Sequence, residues 1–164
     1  LPVALGEVDV IKTVLTLPGV QTVGEGTVGF NVRGGATDQN LILFNDATIF
    51  NPSHLFGFFS AFNPDIIKDV ELYKSGVPAE YGGRIASVLD LNTREGNRKK
   101  WSGSGGISPI TGRLAFEGPI IKDKLSFLIS GRSTYSDWLL REIPSSAINK
   151  SEASFFDLNA NLKY

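Results

Sequence analysis

The sequence predicts a small α+β domain over residues 1–97, followed by a run of antiparallel β-strands. Three patterns carry that reading. Val8, Ile11 and Leu15 fall at i, i+3 and i+7, with Val14 widening the stripe, which is the spacing of one amphipathic helix. Val70–Tyr73 and Ser87–Thr93 are short strand patterns flanking a loop that holds Gly76, Pro78, Tyr81, Gly82, Gly83 and Arg84. From Phe156 onward apolar and polar residues alternate one for one.

The helix is expected over Glu7–Leu17. Glu7 and Asp9 sit in its first turn, where the macrodipole favours them, and Pro18-Gly19 stops it. A loop over residues 21–29 leads into a strand at Phe30–Arg33. Leu41–Phe44 is a continuous apolar run, Asn45-Asp46 are turn residues, and Ala47–Phe50 is extended again. Asn51-Pro52 and Asn63-Pro64 each join an N-cap to a proline at the first helical position, so a short helix is expected to begin at each. In Ser87–Thr93, Val88, Asp90 and Asn92 point one way, Leu89 and Leu91 the other. The loop before it is too long and glycine-rich for a tight hairpin, so its backbone is shaped to meet another surface.

Beyond residue 100 the alternation becomes systematic. Phe156, Leu158, Ala160, Leu162 and Tyr164 oppose Asp157, Asn159, Asn161 and Lys163. Leu125, Phe127, Ile129, Gly131, Ser133 and Tyr135 oppose Ser126, Leu128, Ser130, Arg132 and Thr134. Leu114 and Phe116 oppose Arg113, Ala115 and Glu117. Gly118-Pro119 to Lys124 reads as a turn, and Asp137 to Glu152, broken by Pro144, as a longer loop on the other side. Two sheets fit this pattern equally. One is a membrane barrel with lipid against the apolar face; the other is an antiparallel sheet with that face on a soluble core. Three or four strands cannot close a membrane barrel, so the first reading makes the chain the front piece of a much longer protein.

Sixteen basic and seventeen acidic residues leave a net charge of −1, and the one basic block is Arg98-Lys99-Lys100, which argues against a nucleic-acid surface. Cysteine is absent, which excludes disulfides and thiolate metal sites. Methionine is absent too, so the chain reads as a mature product or an excised piece. No signal peptide is evident, and no apolar run approaches the ~18–20 residues of a membrane helix, whereas a barrel strand needs only ~9–11. Catalysis finds no support: no Ser/His/Asp arrangement has motif context, and the clustered Asp65, Asp69 and Glu71 lie on a helix-to-strand passage. GEGTVG at residues 24–29 matches G-x-G-x-x-G, but a helix precedes it and a strand follows, the reverse of a dinucleotide site.

The order strand, Ser-Gly, Pro-Ala, Tyr-Gly-Gly, strand, Asn-Thr over Asp69–Arg94 resembles the end of the plug domain of TonB-dependent outer-membrane receptors. LTLPGV at 15–20 is similar to the plug segment in which a leucine-bearing helix ends in Pro-Gly-Val, and FNVRGG at 30–35 to the strand carrying Arg-Gly. LILFND at 41–46 resembles the strand usually followed by an Asp-Gly turn, with Ala47 in place of the glycine. IKDVELYKSG at 67–76 resembles the strand whose glutamate precedes a basic residue; Glu71 and Lys74 hold those places. Gly118-Pro119-Ile120 and Lys124–Gly131 look like the first barrel turn and strand, in a style closest to large receptors of Bacteroidetes-type bacteria. The resemblance implies an α+β plug domain, a small mixed sheet with short helices, over residues 1–97. It implies the first antiparallel strands of an incomplete transmembrane β-barrel over residues 98–164.

The function so implied is energy-coupled uptake of a scarce nutrient (iron chelate, cobalamin, glycan or peptide) through the outer membrane of a Gram-negative bacterium. No enzyme activity and no cofactor or metal are implied. The partners would be the nutrient, outer-membrane lipid, and a TonB-type energy-coupling protein acting through a segment upstream of Leu1. Gly24, Glu25, Gly26 and Thr27 in one apical loop, and Asn51, Ser53, His54 and Phe56 in a second, are the implied ligand contacts. The competing interpretations are a flexible connector for the first loop, core packing for some of Phe56, Phe58, Phe59 and Phe62, and an ordinary polar role for His54. Arg33, Glu71 and Arg84 are candidate plug anchors, because a charge enclosed by a barrel is costly unless paired. Solvated surface charges are the alternative. A soluble ligand-binding or signalling module, its tail strands closing on the first sheet, is the competing function.

Overall fold

The computed structural model of the chain describes residues 3–4, 7–24, 29–54, 57, 59–135 and 154–164, residues 3, 4 and 7 by backbone alone. It divides into two compact units, Asp9–Thr93 and Arg94–Tyr164, the second also taking in Val3–Val8. In the latter segment Val3–Ala4 (β1) and Glu7–Val8 (β2) form a short antiparallel pair.

The first helix is shorter than expected: α1 is Val10–Val14. Glu7 and Val8 are extended in β2, and Asp9 caps the helix instead of sitting inside it, its Oδ1 accepting from the Lys12 amide at 3.0 Å. Its Oδ2 accepts from the Ser60 amide at 3.2 Å, so one buried carboxylate both starts the helix and ties it to a distant strand. Past the helix the expected loop is partly strand. Val20–Thr22 (β3) pairs antiparallel with Phe30–Val32 (β4). A 3-10 turn at Thr37–Gln39 leads into Asn40–Phe44 (β5), which returns as Ala47–Thr48 (β6). Asn45 (φ 47°) and Asp46 (φ 65°) form that turn, both in the left-handed region that short polar side chains tolerate.

At Asn51-Pro52 the expected helix is replaced by extended chain. Asn51 Oδ1 accepts from the Ser53 amide as a cap would, but the chain runs into Ser53–His54 (β7), which pairs with Phe59–Ser60 (β8). Asn63 behaves as expected: its Oδ1 accepts from the Asp65 amide at 3.0 Å and caps a 3-10 helix at Pro64–Ile66. Ile67–Tyr73 (β9) and Ser87–Thr93 (β10) complete a four-stranded sheet in the order β6-β5-β10-β9. β10 is parallel to β5 and antiparallel to β9, so the sheet is mixed. One face of it (Ile42, Leu89, Leu91, with Phe44 and Leu72) packs with Val10, Ile11, Val14, Val20, Phe30, Val32 and Phe62 into the core. Each fully buried side chain of this kind contributes roughly 1.5–3 kcal/mol.

The second unit is a meander of Ser102–Ile107 (β11), Thr111–Ile121 (β12), Leu125–Thr134 (β13) and Phe156–Lys163 (β14), each antiparallel to the next. β11 is a Ser/Gly-rich run with no apolar alternation to announce it. Gly118-Pro119, expected in a turn, lie inside β12. The turn is Lys122–Lys124, with Asp123 at φ 62°, and Pro119 sits beside a register shift where the ladder does not need its missing N–H. Gly118 is required by a close approach, since a Cβ there would lie 2.8 Å from the Trp101 ring. The expected loop from Asp137 to Glu152 lies outside the described residues.

Candidate functional site

The face of the mixed sheet opposite the core is polar. Register places Val88 beside Leu41 and Tyr73, Asp90 beside Leu43 and Glu71, and Asn92 beside Asp69. The side chains form a connected strip. The Tyr73 hydroxyl donates to Glu71 Oε2 at 2.5 Å, and the Tyr73 and Tyr81 rings lie 5.6 Å apart. The Tyr81 hydroxyl donates to Asp90 Oδ2 over a long 3.5 Å, and Asn92 Nδ2 donates to Asp69 Oδ1 at 3.1 Å and Asp90 Oδ2 at 3.3 Å. Tyr81 thus straps the glycine-rich loop onto the sheet. The Glu71 hydrogen bond pushes the Tyr73 hydroxyl up to about 12. Tyr81 is also raised, first by lost hydration and then by the charges of Asp90, Glu80 and Asp46. Beside this strip lies an open cavity of ≈ 450 Å³ lined by Leu41, Leu43, Asp46, Thr48, Glu80, Tyr81 and Gly82.

The residues expected to touch ligand fall in separate hairpins. Gly24 ends the β3 arm, where Thr22 Oγ1 donates to its carbonyl at 2.7 Å and accepts from its amide at 3.3 Å. Asn51, Ser53 and His54 stand together at the β7 arm, held by two Asn51 Oδ1 bonds from Ser53 at 3.1 and 3.2 Å. Glu25, Gly26, Thr27 and Phe56 lie outside the described residues, as does Phe58. Phe59 and Phe62 are core.

Of the candidate anchors, Arg33 and Arg84 are exposed, and Arg84 Nη1 donates to the neighbouring Gly83 carbonyl at 3.3 Å. Glu71 is bound by Tyr73, and among the described residues it forms no ion pair with either arginine. The sequence reading set Asp65, Asp69 and Glu71 together. The cavity instead gathers Asp46 and Glu80 from two other segments, a proximity that no local spacing carries.

The strands of the second unit are inverted relative to a soluble sheet. In β13 the buried residues are Ser126, Leu128, Ser130, Arg132 and Thr134, while Ile129 is exposed. Across the sheet the rows Leu114–Gly131–Leu158 and Phe116–Ile129–Ala160 turn outward, with Leu158 at 74% and Leu162 at 68% exposure. The opposite rows run Arg113–Arg132–Asp157 and Glu117–Leu128–Asn161. Arg132, only 3% exposed, is held by Asp157 and lies 5.0 Å from the Phe155 ring. Trp101 packs against Phe116 and Phe127 at the end of the strands nearest the Lys122–Lys124 turn, and Tyr135 and Phe156 stand at the other end. An exposed apolar band with aromatics at both edges and a polar buried face is the surface pattern of a membrane barrel wall.

The family model of the TonB-dependent Receptor Plug Domain matches residues 4–88, just over half of the chain. The chain belongs to that family. Among solved structures, the siderophore receptor PirA from Acinetobacter baumannii superposes with a TM-score of 0.58 at 22% identity, over 77% of this chain and 22% of that receptor's. A mutant ferric enterobactin receptor, PfeA from Pseudomonas aeruginosa, superposes with a TM-score of 0.54 at 18% identity over the same shares. Another PfeA mutant, in complex with enterobactin, gives 0.50 at 17%. No curated protein matches this chain in sequence. At these identities the likeness shows the fold, a plug sheet leading into antiparallel strands. The chain spans 22% of the length of these receptors.

Proposed function

We propose that this chain is the plug and the first wall strands of a TonB-dependent receptor that takes up a scarce nutrient across the outer membrane of a Gram-negative bacterium. The observation that carries it is the inverted meander: an exposed apolar band on β12–β14 backed by a face that buries Ser126, Ser130, Arg132 and Thr134. A soluble module would bury Leu158 and Leu162 and expose the serines. The plug closes the lumen, and a TonB-type partner pulling on a segment ahead of the plug supplies the energy. The chain works as a transporter component and not as an enzyme. The ligand is an iron chelate, cobalamin, glycan or peptide, met first by the loops at Gly24–Thr27 and Asn51–Phe56. Arg33 and Arg84, both exposed on the plug, pair with carboxylates of the surrounding wall.

The test is growth of a deletion strain on defined nutrient sources, with the intact receptor supplied in trans. Restored growth on one scarce source, dependent on the energy-coupling partner, is the expected result. Intact protein that stays dispersed in water without detergent overturns the proposal.

A further inference from the structure

We propose that the rim of the second unit beside the Lys122–Lys124 turn binds the phosphate headgroup of an anionic phospholipid in the inner leaflet of the outer membrane. The proposal rests on the receptor reading above and gives its lipid partner a chemical class and a place. Two basic segments meet at this rim. Arg98, Lys99 and Lys100 precede β11, and Lys122 and Lys124 flank Asp123 in the turn from β12 to β13. The Asp123 amide donates to the Arg98 carbonyl at 3.0 Å, so the backbone holds the two segments side by side. Asn97 Oδ1 accepts from the Lys99 and Lys100 amides at 2.9 and 3.1 Å and fixes the turn that presents them.

The charge gathered there is largely uncompensated. The two segments hold five cations and one acid, Asp123. Glu95, just ahead of them, pairs with Arg98 at 3.3 Å and with Lys163 at 3.4 Å. Lys99, Lys100, Lys122 and Lys124 are exposed, and among the described residues none of their ammonium groups has a carboxylate partner. Four like charges held together by backbone contacts repel one another, and an anion bound among them relieves that repulsion.

The neighbouring side chains say what kind of anion. The row Gly118–Phe127–Leu162 belongs to the apolar face, and Trp101 covers Gly118 while packing on Phe116 and Phe127, ring centroids 5.4 and 5.3 Å away. Along β12, Ile120 and Ile121, both exposed, lead from Gly118 to Lys122. Apolar band, then aromatic ring, then ammonium is the order in which acyl chain, glycerol and phosphate follow one another in a lipid monolayer. A free phosphate or a soluble polyanion would use none of the apolar part. The leaflet follows from the connections. The Lys122–Lys124 turn is short, whereas β13 and β14 are joined at the other end by the longer stretch 135–155. Short turns mark the periplasmic side of an outer-membrane barrel, and so its inner leaflet.

Native mass spectrometry of the full-length receptor in detergent tests this, with dioleoyl phosphatidylglycerol and dioleoyl phosphatidylcholine as the two probes. Phosphatidylglycerol is expected to bind about a hundredfold more tightly, and Lys122→Gln with Lys124→Gln to cut that preference to about tenfold. Both lysines are exposed on a turn, so the double variant keeps the fold. Lys122→Arg with Lys124→Arg, which keeps the charge, should keep the preference. Equal affinity for the two lipids, a preference unmoved by the double glutamine variant, or displacement of the lipid by millimolar inorganic phosphate overturns the proposal. Capture of polyglutamate at these lysines without a lipid preference also overturns it, and points to an acidic protein instead. Failure of the receptor reading shows separately, as intact protein that needs no detergent.

Discussion

Arg132 and Asp157 face each other directly across β13 and β14, with Arg132 Nε and Nη2 both donating to Asp157 Oδ2, at 2.9 and 2.5 Å. The guanidinium is almost wholly buried on the face that carries the polar rows. Removing the carboxylate takes from a buried charge the partner that Asp157 supplies, and breaking such a pair costs about 3–5 kcal/mol. Asp157→Ala in the full receptor is expected to lower its unfolding midpoint strongly. Arg132→Met, which removes the buried charge itself, should cost clearly less. Equal losses from the two variants would show that the pair is not a buried one.

Leu158 and Asn159 are neighbours on opposite faces of β14. If Leu158 faces lipid near the middle of the bilayer, Leu158→Arg costs roughly 2–4 kcal/mol, whereas Asn159→Arg adds a charge to a polar face and is tolerated. Yield of folded receptor in outer-membrane fractions measures the difference. In a soluble sheet the exposed Leu158→Arg would be the harmless one, so the order of the two variants decides which face meets lipid.

Tyr73 donates its proton to Glu71, which raises its pKa from 10.0 to about 12. The folded state therefore holds this proton more tightly than the unfolded chain. The resulting stability is fully present below the unfolded value near 10 and is lost as pH rises towards 12. Tyr81 is raised as well, so tyrosinate absorbance should show two late-titrating tyrosines, of which the one that is Tyr73 moves to lower pH in Glu71→Gln. Coincident titration curves for the two proteins would count against the bond. Glu71→Ala should also loosen the polar strip and raise leak of large solutes through the receptor.

Gly96 has φ 82°, and a Cβ on it would lie 2.5 Å from the Phe127 carbonyl oxygen. Gly96→Ala combines left-handed strain with a backbone clash, each of order 1–3 kcal/mol. Thermal unfolding of the receptor should fall measurably, while Gly76→Ala, where φ is 62° but the space is open, should fall less.

Much of the local structure was legible in short windows. Asn45-Asp46 announced a turn and Asn63-Pro64 a short capped helix, which the structure forms as a 3-10 turn, because the groups that satisfy those backbones lie within three residues of them. Asn51-Pro52 carried the same signal and misled. There the same side-chain bond forms, but pairing of β7 with β8 decides the backbone path. The first helix was overextended for a related reason: Asp9 serves a partner, Ser60, that no window around it contains. β11 carries no strand signal of its own, because serine and glycine form a strand here only through the ladder that β12 supplies.

What the sequence determined by itself is periodicity: two faces on each wall strand, a polar face and an apolar face on β10, and an Arg-Gly and Tyr-Gly-Gly framework that marks the family. Period-two alternation is symmetric between inside and outside, so it could not say whether Leu158 or Asn159 meets the interior. Only the tertiary structure decided that, by burying Ser126, Ser130 and Arg132 and exposing Leu114, Leu158 and Leu162. It also decided the cavity, because the β5–β6 turn that carries Asp46 and the glycine-rich loop that carries Glu80 line one opening beside Leu41 and Leu43. Such convergence depends on contacts between segments far apart in the chain, and these leave no periodic trace in any one of them.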